Sequence, residues 1–309
     1  MIGLIEGIKV IDYGSNTSSF KPRLWLNSGT EFAKDLVPTD NYDRDAFIPS
    51  ESWREANIIE QKIIYNTNYK VNTGSCIDKS NHIGILPLPD LLTEAFEELG
   101  VPFASTMSDC SFLWQQPACQ EAVKNMIDYV KTFSELNDHK SSAIYGISSN
   151  PPGLRTVTYD QENKYYIGLH LDSWDNLPLE NRYLSTNRIC VNLGLEDRYF
   201  LFVNLTLMDM LYLLDMESWN HVLSFEPEER QKALREKFFR DSSTSASIVI
   251  NTIGKRFFQQ YPEYPVIKVR ISPGEAYIAP TENMIHDGCT FRNRFPDVTL
   301  TIRGHIGFP

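Results

Sequence analysis

Tyr165-Tyr166-Ile167-Gly168-Leu169-His170-Leu171-Asp172-Ser173 is the stretch whose reading decides the fold. Aliphatic residues alternate over it with polar, aromatic or small ones, the period of a β-strand that buries one face. As a strand it puts Tyr166, Gly168, His170 and Asp172 on one side and Ile167, Leu169 and Leu171 on the other. The apolar side is expected to meet a layer of helices. The other side is expected to look into a barrel, where Gly168 leaves space. An imidazole and a carboxylate then leave the same face together, as two ligands of one transition metal would. Alone, His-x-Asp reads equally as a hydrogen-bonded pair on a surface strand, so the surrounding sequence has to decide.

Residues 154–159 read as the hairpin partner of this strand, with Asp160-Gln161-Glu162-Asn163 as the turn. Residues 188–193 and 198–205 read as a second hairpin around Gly194-Leu195-Glu196-Asp197. Strand character returns at 266–271. Pro273-Gly274-Glu275 turns into 276–279, and the last strand spans 298–306. Hairpins joined by long return connections indicate a mainly β fold with helical additions. The expected form is a double-stranded β-helix, a jelly-roll or cupin-like barrel flanked by α-helices.

The first half reads differently. A strand is expected within Ile8-Lys9-Val10-Ile11-Asp12-Tyr13. Helical patterns follow at 51–65 after Ser50 as N-cap, at 89–99 closed by Gly100, and at 117–136 with proline in the first turn. Ala122, Met126, Tyr129, Val130 and Phe133 give the last of these its apolar face. The expected organisation is a mostly helical region over 1–150 packing on a β core over 151–309. Helix-patterned sequence at about 206–260, strongest at 227–240, interrupts that core. It is either a lid that contributes to substrate choice or a layer on the outer face of a sheet.

Two further segments bear on the metal. His286-Asp287-Gly288 follows the short apolar strand Ala276-Tyr277-Ile278-Ala279 and Pro280. On the last strand Thr299, Thr301, Arg303 and His305 share one face, and Val298, Leu300 and Ile302 the other. A buried arginine needs an anionic partner, and a carboxylate taken bidentately supplies one. His82, His139 and His221 have no carboxylate two residues on and read as ordinary, partly exposed histidines.

The order His-x-Asp, then His, then Arg resembles the Fe(II)/2-oxoglutarate-dependent oxygenase superfamily over about residues 153–309. The resemblance implies that His170, Asp172 and His286 hold Fe(II), since two histidines and one carboxylate leave metal positions open. It implies that Arg303 receives the distal carboxylate of 2-oxoglutarate, helped by Thr301 or His305. It further implies O2 as the oxidant, stimulation by ascorbate, and hydroxylation of an unactivated C–H with release of succinate and CO2. The family's halogenases put a small residue where this chain keeps Asp172, so hydroxylation is the default; desaturation, epoxidation or ring formation would use the same ligands. The gap from His286 to Arg303 is longer than in many members. Arg292 and Arg294 lie nearer, in a loop, and read as solvated charge or a substrate contact. Arg155, Tyr159, Asn192 and Asn204 either line the pocket or are ordinary polar residues of the barrel.

Bulk composition narrows the partners. The 309-residue chain carries a net charge of −11 and no basic run, which argues against nucleic acid. Its five cysteines are odd in number, irregularly spaced and without a CxxC, so neither a zinc knuckle nor a disulfide framework is expected. Reduced thiols fit a cytoplasmic protein. No signal peptide is expected, and no stretch approaches the roughly 18 apolar residues of a membrane span. The expected substrate is a small molecule, an amino acid or a specialised metabolite. Two other readings stay open. One is a cupin-like metal-dependent isomerase or dioxygenase without 2-oxoglutarate, which would not need Arg303. The other is a non-catalytic binding barrel, in which the His and Asp side chains would not converge.

Overall fold

The computed structural model describes residues 3–14, 22–35, 41–66, 77–100, 113, 115–134, 144–214 and 246–309. The fold is mainly β, and two sheets face each other. One has six strands in the order β1 (Lys9–Asp12), β6 (His82–Pro87), β13 (Glu275–Ala279), β10 (Asn187–Asn192), β15 (Asp297–Gly304) and β7 (Ile144–Asn150). The other has five, in the order β14 (Met284–Cys289), β11 (Arg198–Thr206), β12 (Ile267–Ile271), β2 (Leu24–Leu26) and β5 (Arg54–Glu55). Two-stranded ribbons join β3 (Thr30–Phe32) to β4 (Phe47–Pro49) and β8 (Tyr159–Asp160) to β9 (Tyr165–Tyr166). In both large sheets the pairs are antiparallel except β1 with β6.

The period-two pattern of each strand builds the layers. Phe200, Phe202, Val269, Ile85, Tyr277 and Met284 point between the sheets and form the inner core. There the rings of Phe200 and Tyr277 stack across the gap with centroids 4.2 Å apart. Intervening residues point outward. Ile189, Val191, Ile278, Leu300 and Ile302 meet α2 (Asp90–Glu98) and α3 (Pro117–Lys131), through Leu92, Phe96, Val123 and Met126. Leu201, Val203, Leu205 and Ile285 meet α4 (Leu207–Leu214) and α5 (Ala246–Gln260), through Met210, Leu211, Ile253 and Phe257. The described ends of the 206–260 segment are therefore a layer on the sheet's outer face. Among the described residues no helix is long and apolar enough to cross a membrane.

Helix ends follow the sequence signals in part. Pro117 opens α3, and Gly100, at φ 68°, follows α2. The helix expected from Ser50 starts later, as α1 (Ile58–Ile64). Asn57 is its true cap: its side chain accepts from the Ile59 and Glu60 N–H groups, and Glu60 reaches back to the Asn57 N–H. The residues before it enter β5, and the Ser50 hydroxyl bonds Ser28 and Ser52 instead.

Three further differences matter more. Residues 188–193 and 198–205 are not a hairpin: β10 and β11 belong to different sheets. The corner between them is held by Asn192, whose amide donates to the Glu196 and Ile271 carbonyls while its oxygen accepts from the Gly194 N–H. The first half is not helical alone: among the described residues β1, β6 and β7 extend one sheet and β2 and β5 the other, while α2 and α3 pack on the outer face. Finally, 154–159 and 165–173 are not two full strands. Pairing covers only β8 and β9, and His170 then makes an isolated bridge to His286. Gly168 is the cause of the break. Its φ is +76°, and a Cβ there would lie 2.6 Å from the Phe47 carbonyl oxygen. The helix expected at 227–240, the end of the helix expected to reach 136, and Cys76, Cys110, His139 and His221 lie outside the described residues.

Candidate metal centre

His170 and Asp172 follow the Gly168 kink, where the chain passes beside β14. Leu169 and Leu171 go into the outer core, so the two polar side chains between and after them turn the other way. His286 lies inside β14 rather than after a strand, two residues beyond Met284 on its inner face. His170 Nε2 is 3.6 Å from Asp172 Oδ1, and His286 Nε2 is 3.8 Å from Asp172 Oδ2. One ligand atom from each of the three residues lies within 4.8 Å of the others.

The imidazoles are aimed by their other nitrogens. His170 Nδ1 donates to the Gly168 carbonyl at 2.9 Å, and His286 Nδ1 to the Met284 carbonyl at 3.3 Å. Both bonds turn Nε2 toward the centre, the orientation found at metal-bound histidines. His286 Nε2 is buried without a hydrogen-bond partner among the described residues. A buried polar atom rarely stays unsatisfied, and a metal ion at this point would satisfy it. The donor set therefore fits a divalent transition metal.

Electrostatics agree with the geometry. Burial disfavours a proton on His170, but Asp172 and the carboxylate of Asp287, 3.7 Å from Nδ1, outweigh it and push the pKa up to about 10. Burial alone would raise the Asp172 pKa; Arg188, His286 and His170 instead hold it well below the usual carboxylate range. Burial, only partly offset by Asp172, keeps His286 neutral, with its pKa well below the ordinary imidazole value. Surroundings that draw a proton to His170 would draw a metal cation for the same reason.

A charged scaffold supports Asp172. Arg303 Nη2 donates to Asp172 Oδ2 at 2.6 Å, and its Nη1 to Glu282 Oε1 at 2.9 Å. Glu282 is fully buried. It also accepts from Arg182 Nη1 at 2.7 Å and from the N–H groups of Trp174 and Asp175. Arg182 in turn reaches the Asp172 carbonyl and the Ser173 hydroxyl. Arg188 Nη1 lies 3.6 Å from Asp172 Oδ2. Asp287 Oδ1 accepts from the Val157 and Thr158 N–H groups, tying the segment before β8 to β14.

The structure thus brings His170, Asp172, His286 and Arg303 together. Thr301 is half-buried on the same face of β15, 3.5 Å from the Cys190 sulfur. His305 stands exposed in the bend beyond β15, outside the buried cluster. Arg155 pairs with Glu31 and Glu51, Asn204 bonds the Tyr264 hydroxyl and the Ile5 carbonyl, and Tyr159 belongs to the small ribbon. Arg294 pairs with Glu196 in its loop. Sequence reasoning missed Glu282, Arg182, Arg188 and Asp287. Arg188 had a signal: it is the one charged residue in the strand Asn-Arg-Ile-Cys-Val-Asn, on the face opposite Ile189 and Val191.

No family model matches the chain, and no curated protein matches it. Among solved structures it is similar to the Kdo hydroxylase KdoO, described as a non-heme Fe(II) alphaketoglutarate dependent dioxygenase. The apo form aligns at a TM-score of 0.41 and 16% identity, covering 74% of this chain and 81% of that one. The complex with alphaketoglutarate and Fe(III) aligns at 0.39 and 15% over the same shares. The cobalt(II) complex aligns at 0.37 and 14%, again over 74% and 81%. A likeness this distant does not carry a function, which has to rest on the residues of the centre.

Proposed function

We propose that this chain is an Fe(II)/2-oxoglutarate-dependent oxygenase that hydroxylates an unactivated C–H of a small molecule, with release of succinate and CO2. One observation carries the reading: His170, Asp172 and His286 converge to within 4.8 Å, with the buried His286 Nε2 left without a partner among the described residues. Such a triad occupies one side of the metal and leaves the other for ligands. Iron bound there would supply the redox chemistry between O2 and the 2-oxo acid. The protein's own part is to hold and to exclude. The Gly168 and Met284 carbonyls orient the imidazoles, Arg303 and Arg182 hold Asp172, and Phe200, Phe202 and Tyr277 keep the inner core dry. Arg303 is the residue that the last-strand pattern offers for the co-substrate's distal carboxylate. The protein would work in the cytoplasm, where Cys119, Cys190 and Cys289 stay reduced, and would respond to ascorbate.

The test is turnover. Purified protein is incubated with Fe(II), ascorbate, 2-oxoglutarate and metabolite pools, and succinate is measured together with products heavier by one oxygen or lighter by two hydrogens. Iron-dependent succinate formation coupled to such a product supports the reading; its absence from every pool argues against it.

One observation favours a second reading, a metal-dependent isomerase or dioxygenase that takes no 2-oxoglutarate. Both terminal nitrogens of Arg303 are already bonded, to Asp172 and Glu282. An enzyme of that kind would bind iron through the same triad and show no response to 2-oxoglutarate.

A further inference from the structure

Four buried or partly buried arginines stand around the inner face near the triad, and their hydrogen bonds are unequal. Arg182 is bonded to Glu282, Ser173 and the Asp172 carbonyl. Arg303 is bonded to Asp172, Glu282 and Thr186. Arg198 donates to the Cys190 sulfur and pairs with Asp297 at 3.3 Å. Arg188 differs from these three. Its nearest anion, Asp172 Oδ2, is 3.6 Å away, beyond hydrogen-bond distance, so no terminal nitrogen of Arg188 is held as theirs are; its Nε, like those of Arg182 and Arg198, is buried with no partner among the described residues.

A guanidinium carries five N–H donors, and leaving them unsatisfied in a protein interior is costly. Arg188 is also placed against another cation. The β10–β15 register sets it directly opposite Arg303, a like-charge pair that destabilises a sheet unless an anion lies between. Asp172 now fills that role, within 3.6 Å of Arg188 and 2.6 Å of Arg303. A metal ion on Asp172 would draw off part of that negative charge. Arg303 would keep Glu282, whereas Arg188 would keep nothing. Arg188 sits two residues before Cys190, whose side chain lies in the core between the sheets, so both look into the barrel. Of its side-chain surface 21% is exposed, which leaves room for a ligand to reach it.

We propose that Arg188, on β10, is the guanidinium that receives the far carboxylate of the 2-oxo acid, while Arg303 stays on Asp172 and Glu282. This rests on the oxygenase reading above and removes the objection raised by the engaged nitrogens of Arg303. A planar guanidinium with free donors takes a carboxylate bidentately, and a lysine in its place would offer charge without the fork.

The experiment compares two 2-oxo acids on the cobalt(II)-loaded protein by titration calorimetry. 2-Oxoglutarate has the far carboxylate, and 2-oxovalerate has the same carbon chain without it. Wild type should prefer 2-oxoglutarate. In Arg188→Gln its affinity should fall about tenfold to a hundredfold, the scale of charge-assisted hydrogen bonds lost, while 2-oxovalerate binds as before. Arg188→Lys should recover part of the preference and covers the case in which the glutamine variant does not fold. The proposal is overturned if Arg188→Gln and Arg188→Lys both retain the full preference. If wild type binds neither acid, or binds both equally, the oxygenase reading itself fails and Arg188 loses this role with it. Preserved preference in the Arg188 variants would sink the assignment alone.

Discussion

His170 and His286 are paired to each other through their backbones. The His286 N–H donates to the His170 carbonyl at 2.8 Å, the His170 N–H returns a bond of 3.2 Å, and the ring centroids stand 4.8 Å apart. The spacing of two candidate ligands is therefore set by main-chain hydrogen bonds between distant parts of the sequence. Asp172 is held separately, by its N–H to the Thr281 carbonyl and by Arg303. This separation lets the ligands be tested one at a time.

Replacing His286 with alanine should abolish tight binding of Fe(II) or Co(II) and leave the protein folded. The side chain is buried and its Nε2 bonds nothing else among the described residues, so its loss removes a ligand without breaking a network. Calorimetric titration with Co(II), alongside a thermal melt, checks this. Binding as tight as wild type would take His286 out of the centre.

Gly168→Ala should destabilise the protein by about 1–3 kcal/mol, the usual cost of a non-glycine residue forced into a strained backbone region. The new methyl would also press on the Phe47 carbonyl, and the Gly168 carbonyl would then carry the His170 ring out of line. Denaturant unfolding should show the lower stability, and Co(II) titration a weaker site. A variant as stable as wild type would mean that the positive φ is not required.

The Glu282→Ala variant should lose about 3–5 kcal/mol, because the substitution leaves the buried Arg182 and Arg303 without their shared counter-charge. Glu282→Gln keeps the acceptor oxygen and should lose less. Arg303→Lys should resemble Glu282→Ala in direction, since one ammonium cannot span both Asp172 and Glu282 as two guanidinium nitrogens do. Urea midpoints for the three variants give the ranking. Equal stability of Glu282→Ala and wild type would show that the network adds nothing to the fold.

Phe257→Ala should cost about 3–5 kcal/mol, the range for a large aromatic removed from a core. Phe257 is fully buried between α5 and the outer face of the five-stranded sheet, against Tyr264 and Phe258. Unchanged unfolding would mean that α5 does not pack there.

The sequence was most readable where alternation was unbroken. β10, β11, β12, β13 and β15 lie where the period-two runs put them, because each buries one face between the sheets; the other face lies under helices, except in β12, where Lys268 stands over Trp25, Trp53 and Tyr199. The failures have local causes. In the sequence Gly168 marks space inside a barrel; in the fold its positive φ ends the alternation and leaves His170 as a lone bridge. The strand Met-Ile-His-Asp-Gly-Cys escaped because it is buried on every residue and carries His286 and Asp287 side by side on opposite faces, so no polar face marks it. Which strands pair was also hidden, since the corner after β10 looks like a hairpin turn. The triad was legible as His-x-Asp plus a later His. The scaffold was not: Glu282 and Arg182 lie in a turn and a short helical loop, with no periodicity to announce that they are buried.

Trp174 follows Asp172 by two positions, is 62% exposed, and has the Arg303 guanidinium 5.5 Å from its ring. An indole that is wet on one side and leans on a cation on the other has an emission that depends on where that cation sits. Any event that pulls Arg303 toward or away from Asp172 would change it. The molecule thus carries its own optical gauge of the centre, readable as tryptophan fluorescence without a label.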